Sequence, residues 1–373
     1  MSAPAARRQP VVILTGVGKR YDIVACFAQL AETIAVDPNP LAPARYAAHR
    51  QVAPPPISDP GYVPALQGLC AEHAAAVVLP LTDLDIEVLA VARERGRLPA
   101  LVPSAQIARA TFDKYEAHLL LSRLRLPSPP TVLPQEGDLD VIRYPVVVKP
   151  RRGSGARSIH VARSPAEARF FIDYLEGRPH GEEAIRPLAG RMNADVRIPV
   201  GEPVMVQSAL FGEELSIDCL GDQEGRCINA IPRRMLESRG GESIKGTVIA
   251  DRQLVELGVH AMEALGVRGP ATIQVFRDPE LGLAITDFNT RFGGAFPAPA
   301  YAALPGRSYP ELIVRMAAGE RIAPHPGEFR APLTFTRYYW QLELDEQLRP
   351  TGRELVPGGP PRPRANAATM GPR

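Results

Sequence analysis

Three short apolar runs alternate with helical patterns near the start of this chain, and that alternation restricts its fold more than any other feature. The runs are Val11–Thr15, residues 33–36 and residues 75–79; helical periodicity lies at about residues 22–30 and 85–93. Strands separated by crossover helices form a parallel sheet. An open parallel α/β domain is therefore expected over residues 10–105. The turn after the first run reads Gly16-Val17-Gly18. A dinucleotide-binding fingerprint needs its third glycine where Tyr21 stands, so the fingerprint fails. Asp37 closes the second run, where a ribose-binding acid or a turn cap would sit.

The pattern then changes. A helix is expected over residues 113–124, ended by Leu126-Pro127-Ser128-Pro129-Pro130. A β-branched run at residues 146–148 leads to Lys149-Pro150, the polar loop RRGSGARS and a return strand at residues 159–161. Two strands around a glycine-rich loop make a hairpin. The loop lacks the GK[ST] ending of a Walker A motif. Ser164-Pro165 starts the next helix. Further strands at residues 204–206, 214–218, 227–231, 272–276 and 283–288, with a helix at 254–265, describe an α+β, mostly antiparallel unit. A chain of 373 residues has room for two or three such units. The expected layout is a flexible N-terminus (1–9), the α/β domain (10–105), a linker helix with a small subdomain (106–205), a larger subdomain (206–349) and a disordered tail (350–373).

Charge and cysteine usage exclude several function classes. With 43 basic and 41 acidic residues the chain carries no footprint for nucleic acid or an acidic membrane. No run of transmembrane length is present. The opening MSAPAARRQP lacks an apolar core, so no secretory signal is expected there. Four cysteines without a CxxC pair and seven histidines without HxxxH argue against zinc, and scattered thiols fit a cytoplasmic location.

The segment AITDFNTRFGGAFP, residues 284–297, has the densest chemistry. On a strand Asp287, Asn289 and Arg291 project to one face. Two oxygen ligands suit Mg²⁺, and the guanidinium suits a phosphate or carboxylate. A solvated edge strand would have the same alternation. Elsewhere stand Lys114, Lys149, a loop with Gly153 and Gly155 beside Arg151, Arg152 and Arg157, then Glu214 and Gln274. Together these groups suit a polyphosphate with its Mg²⁺.

Their order resembles the ATP-grasp superfamily, especially its carboxylate–amine ligases and carbamoyl-phosphate-synthetase-like members. The stretches TFDKYEAHLLLSRLRLPSPPT, YPVVVKPRRGSGARSIHVA, MVQSALFGEELSID, GPATIQVF and ITDFNTRFGGAFP carry the resemblance, which covers residues 10–325. It implies a pre-ATP-grasp α/β domain, a lid subdomain and an antiparallel ATP-grasp subdomain. It implies that Lys114 and Lys149 contact ATP phosphates under a lid loop with Gly153, Ser154 and Gly155. Gln207 through Leu210 would read adenine, and Glu214 would hold the ribose. Gln274, Asp287 and Asn289 would be the Mg²⁺ positions, and Arg291 would stabilise the acyl-phosphate and the tetrahedral species after it.

This sequence departs from the common pattern at several of these positions. Asp287 is one methylene shorter than the common Glu, and Gln274 replaces a frequent Glu. Gln207 stands for the hinge acid, so its amide oxygen would face the adenine amino group. Thr290 stands where the family's N-P-R triplet has proline. The implied activity is phosphorylation of a small-molecule carboxylate by ATP, followed by attack of an amine, with amino acids among the substrates and a homodimer compatible. The alternatives are a carbamoyl- or carboxy-phosphate enzyme using bicarbonate and a regulatory nucleotide-binding protein without catalysis. The segment PRRMLESRGGESIKG resembles a substrate-facing loop, with Arg233, Arg234, Arg239 and Lys245 towards an anionic substrate; a solvated basic loop is the other reading.

Overall fold

The computed structural model describes residues 9–134, 139–153, 158–176, 204–239, 242–294 and 298–353. Expectations for residues 1–8, Ser154, Gly155, Arg157 and the tail beyond residue 353 lie outside the described residues.

The first strand, β1 (Val11–Thr15), is buried along its whole length. A continuous apolar run of this kind is what a central strand covered on both faces requires. It pairs in parallel with β2 (Glu32–Val36) and β4 (Ala75–Pro80), and β2 pairs in parallel with β3 (Arg50–Val52), giving the order β3-β2-β1-β4. Helices α1 (Tyr21–Ala28), α2 (Tyr62–His73) and α3 (Ile86–Glu94) supply the crossovers. The expected parallel α/β domain is therefore present. Sequence periodicity missed β3 and α2, because α2 buries only Tyr62 and Leu66 and contains Pro64 and Gly68. Gly16 has φ +59°, and a Cβ there would lie 2.3 Å from Thr82 Cγ2, so the turn after β1 accepts no side chain. Asp37 accepts hydrogen bonds from the Gly18 and Asn39 amides at 2.8 and 2.9 Å. It acts as a turn cap here.

Helices α4 (Ala105–Phe112) and α5 (Lys114–Arg123) follow, with Asp113 between them as the N-cap of α5. The small sheet comprises β5 (Thr131–Val132), β6 (Val146–Pro150), β7 (His160–Ala162) and β8 (Val204–Ser208), in the order β5-β8-β6-β7. Its pairings are antiparallel. Helix α6 (Pro165–Glu176) buries Ala168, Ile172 and Leu175 in one cluster with Val146, Val148, Ala162, Val204 and Val206 of that sheet.

The large sheet is antiparallel and six-stranded. Its elements are β9 (Glu213–Gly221), β10 (Cys227–Arg239), β11 (Glu242–Val248), β12 (Gly269–Asp278), β13 (Gly282–Asn289) and β14 (Leu333–Thr336). Helix α7 (Arg252–Leu265) starts on an Asp251 cap and ends at Gly266 in the left-handed conformation. Its buried Leu254, Ala261, Met262 and Leu265 pack with Leu215, Ile217 and Cys219. Alternation along β9 therefore sends Glu214, Ser216 and Asp218 to the opposite face. Helix α8 (Tyr309–Ala317) opens with a complete Ser308/Glu311 capping box.

The segment expected to be a substrate-facing loop is instead most of the hairpin β10–β11. Arg234 pairs with Glu213, and Lys245 with Glu237 at 2.6 Å. Charges alternating on a two-stranded projection look like a loop in sequence, because neither face is continuously apolar. The compact body ends at Thr336; a second unit begins at Arg337. Within that unit Asp345 closes a turn by accepting from the Gln347 and Arg349 amides, both at 2.9 Å. No helix among the described residues is long and apolar enough to cross a membrane.

Candidate functional site

The site is built on the sheet face opposite α7. Gln274 on β12 stands directly across from Asp287 on β13, and Thr272 across from Asn289. The same rows continue onto β9, with Gln274 opposite Ser216 and Thr272 opposite Asp218. Directly opposed side chains are neighbours, so register alone brings Gln274 and Asp287 together. Asn289 Nδ2 donates to Asp287 Oδ2 at 3.2 Å, and Arg291 Nη2 donates to Asn289 Oδ1 at 3.3 Å. The three residues expected to share a face do so. One carboxylate and two carboxamides form an all-oxygen donor set. Among the described residues no cluster of three or more His, Cys, Asp or Glu competes with it. Oxygen donors with a single charge fit Mg²⁺ that completes its shell with phosphate and water.

Lys149 closes β6 and is buried. Its Nζ donates to Gln207 Oε1 at 2.9 Å, and Gln207 Nε2 donates to Thr131 Oγ1 at 2.9 Å. Burial pushes the Lys149 ammonium down to about 8; Lys114 acts in the same direction and Asp287 against it. Lys114 and Asp287 thus both lie near enough to act on the charge of Lys149. The expected role of the Gln207 oxygen towards adenine is not what this arrangement shows. That oxygen is engaged by Lys149, and Gln207 orients the lysine. Leu210 lies just past β8, half-buried.

Lys114 begins α5, and its Nζ donates to the Gly153 carbonyl at 2.7 Å. Its amide donates to the Arg151 carbonyl at 2.9 Å. The buried Asp113 caps α5 through the Tyr115 and Glu116 amides and pairs with Arg151 at 2.9 Å. Arg151 also lies over the Tyr115 ring, 5.3 Å from its centre. Arg151 is therefore an anchor between α5 and the loop after β6. Gly153 has φ +124°, a conformation that suits glycine. Glu214 is half-buried at the start of β9; burial raises its carboxyl and Arg233 opposes the shift.

Arg233, assigned to a substrate-facing loop by sequence, sits buried in β10 and donates to Asp218 Oδ2 at 2.8 Å. Asp218 also accepts from the Thr272 hydroxyl at 2.8 Å, and its carbonyl accepts from the Tyr309 hydroxyl at 2.8 Å. This buried network supports the turn beyond Arg291. A Cβ on Gly293 would lie 2.4 Å from Thr272 Oγ1. Gly293→Ala is expected to destabilise the fold by about 1–3 kcal/mol through overpacking, lowering the melting temperature by several degrees in a calorimetric scan. An unchanged melt would show that the turn can move aside.

Two residues in contact with the Arg291 segment escaped the sequence reading. Arg291 Nη2 donates to Asp83 Oδ2 at 2.8 Å, and Asp83 belongs to the loop between β4 and α3. Arg20, the N-cap residue of α1, donates to the Phe292 and Gly293 carbonyls at 3.2 and 2.7 Å. Both lie beyond carboxyl ends of parallel strands, where open α/β sheets bind ligands. That position was their only signal in the sequence.

Comparisons with known proteins fit this geometry. Residues 12–98 match a family model described as PylC-like, N-terminal domain. Residues 201–337 match one described as ATP-grasp in the biosynthetic pathway with Ter operon. A formate-dependent phosphoribosylglycinamide formyltransferase of Solidesulfovibrio magneticus is 29% identical over 188 residues, covering 47% of this chain and 46% of that protein. The protein of the same name from Shewanella amazonensis is 30% identical over 173 residues, covering 45% and 43%. The chain thus spans less than half the length of either relative in these matches. Among solved structures, the biotin carboxylase domain of Hydrogenobacter thermophilus 2-oxoglutarate carboxylase gives a TM-score of 0.64 at 17% identity, covering 87% of this chain and 73% of that one. N5-carboxyaminoimidazole synthetase from Staphylococcus aureus gives 0.63 at 14%, covering 87% and 81%. At such identities the likeness establishes the fold. The chain thus has the ATP-grasp fold, and its residues 201–337 match an ATP-grasp family model.

Proposed function

We propose that this chain is an ATP-dependent, ADP-forming ligase that activates a small carboxylate as its acyl-phosphate and joins it to an amine. The cross-strand pairing of Gln274 with Asp287, in electrostatic reach of the buried Lys149, carries this reading. Lys149 and Lys114 hold the ATP phosphates, and Glu214 holds the ribose hydroxyls. Asp287, Asn289 and Gln274 would hold Mg²⁺, which would supply charge neutralisation on the phosphates. A carboxylate oxygen of the acid substrate attacks the γ-phosphorus, and ADP leaves. The amine then attacks the acyl carbon, phosphate leaves, and the amine nitrogen gives up a proton to solvent. Arg291 stabilises the oxygens on which charge collects in both steps. Positioning and charge carry phosphoryl transfer, so no nucleophilic side chain is required.

The curated relatives are named for formate, and the Hydrogenobacter structure is described with MgADP and bicarbonate. These names support a small acid as the activated substrate. Bicarbonate in that place would make a carboxy-phosphate, which is the second reading. The same structure is described as a dimer, which supports a homodimer here. The free thiols of Cys26, Cys70, Cys219 and Cys227 support a reducing, cytoplasmic setting.

The test is phosphate release from Mg-ATP with formate, bicarbonate and amino acids, singly and in pairs. Release that needs both an acid and an amine supports the ligase. Release with bicarbonate alone supports the second reading. Nucleotide binding with no turnover under any pairing would assign a regulatory role.

The Lys149 ammonium also sets a pH dependence. It is charged below about 8 and neutral above, so its attraction for phosphate is complete at lower pH and lost as pH rises. The pH profile of kcat/KM for ATP reports the free enzyme and should fall above a pKa near 8. In Lys149→Ala that limb should vanish and Mg-ATP affinity should drop about tenfold or more, the scale of a charged hydrogen bond. A limb that persists in the variant would belong to another group.

A further inference from the structure

The segment carrying Arg291 is held from outside its own sheet. Three groups of the N-terminal α/β domain meet it. Arg20 donates to the Phe292 and Gly293 carbonyls at 3.2 and 2.7 Å. Phe27 of α1 packs edge-on against Phe292, with ring centres 6.3 Å apart. Asp83 accepts from Arg291 at 2.8 Å. Phe27 and Phe292 are both fully buried, so the contact is part of a core shared by the two domains.

We propose that Arg20 is a positioning residue that presets Arg291 for the transferred phosphate. The geometry of the N-terminal turn explains how. Gly16 admits no side chain beside Thr82, and the Arg20 amide donates to the Val17 carbonyl at 2.9 Å. The Val24 amide in turn donates to the Arg20 carbonyl at 3.2 Å. The backbone of Arg20 is thereby fixed between the turn and the first turn of α1. Its Nη1 donates to both carbonyls, so a single nitrogen ties the Phe292 and Gly293 peptide groups to the end of the Arg20 side chain. The carbonyls belong to the residues directly after Arg291. β13 ends at Asn289, so Arg291 and the residues after it lie beyond the strand. Arg20 adds a restraint at one end of the segment, and Asp83 restrains the guanidinium itself at the other.

The turn Gly16-Val17-Gly18 thus acquires a use that its failed dinucleotide fingerprint left unexplained: it places an arginine against the catalytic segment. A residue acting this way affects the reaction through Arg291 and leaves ground-state nucleotide binding nearly alone. The kinetic consequence rests on the ligase reading. The structural one does not.

The test compares wild-type protein with Arg20→Ala, Arg20→Gln and Arg20→Lys in three measurements. Amide exchange is followed over residues 291–294, Mg-ATP affinity by calorimetry, and phosphate release under the conditions that support turnover. In Arg20→Ala, exchange of that segment should accelerate about tenfold or more, since its local restraint is lost. Mg-ATP affinity should stay within about threefold while turnover falls about thirtyfold, the pattern of an interaction expressed in the transition state. Arg20→Lys should recover part of both losses, because an ammonium has the donors but its shorter side chain ends short of the Nη1 position. Unchanged exchange over residues 291–294 would overturn the proposal, as would equal losses in affinity and turnover or a Lys variant no better than Ala. Should the Ala variant fail to fold, the Gln variant meets the same criteria with a donor retained. Should wild-type protein show no turnover, the ligase reading fails alone, and the exchange comparison still decides the role of Arg20.

Discussion

Arg291→Ala is expected to lower turnover by about a hundredfold or more while Mg-ATP affinity changes only a few-fold, by analogy with loss of an oxyanion donor. The guanidinium is mostly buried, with 12% of its side chain exposed, and it touches Asn289 and Asp83. In the proposed reaction its position beside Asp287 and Asn289 brings it to the oxygens that gain charge during phosphoryl transfer and acyl attack. Interactions that strengthen in the transition state raise kcat without tightening ground-state binding. Arg291→Lys should rescue little, because a point charge cannot keep one partner and still meet a planar oxygen pair. Steady-state kinetics paired with calorimetry separate the cases. Equal losses in binding and turnover would move Arg291 to ground-state nucleotide contact. No loss in either would leave it as a strap between the two domains through Asp83.

Asp287→Asn should be the second severe variant. Asp287 is the only carboxylate in the donor set, because Gln274 and Asn289 are neutral amides. The substitution keeps shape and the neighbouring contacts while removing the charge. Turnover should fall about a hundredfold at low Mg²⁺ and recover in part at high Mg²⁺, since weakened binding is overcome by mass action. A second consequence follows from Lys149. Asp287 holds the Lys149 ammonium up against burial. Its loss should move the alkaline limb of kcat/KM for ATP to lower pH than in wild type. Normal activity at low Mg²⁺ would remove Asp287 from the metal site. A recovered activity with an unmoved alkaline limb would separate the metal role from the coupling to Lys149.

Much of the site was legible because strands impose a period of two. Asp287, Asn289 and Arg291 were read onto one face from spacing alone, and the structure places them there. Continuous apolar runs likewise marked β1, β2 and β4, since a strand buried on both faces needs nothing else. Patterns failed where burial was one-sided or charged. Helix α2 buries two side chains and was missed. The first residues of β10 were read as a strand, but residues 232–246 of the hairpin, where Arg234 pairs with Glu213 and Lys245 with Glu237, were read as a loop. Arg233 was read as a cation of a substrate-facing or solvated loop, because sequence does not show that Asp218, on the neighbouring strand, lies 2.8 Å away.

The sequence by itself determined the local order: parallel strands first, a glycine-loop hairpin next, then an antiparallel unit with oxygen ligands at alternate positions. Hydrophobic period and turn chemistry act over a few residues, so they can be read in a few residues. Only the tertiary structure decided which distant groups share a centre. Cross-strand register set Gln274 against Asp287, and packing turned the Gln207 amide onto Lys149. The contact of Arg20 and Asp83 with the Arg291 segment spans more than two hundred positions, |i−j| 272 and 273 for Arg20 and 208 for Asp83. No local propensity encodes such a contact. It exists because the buried faces of two domains close on one another, and that closure places the fixed charges of one domain against the Arg291 segment of the other.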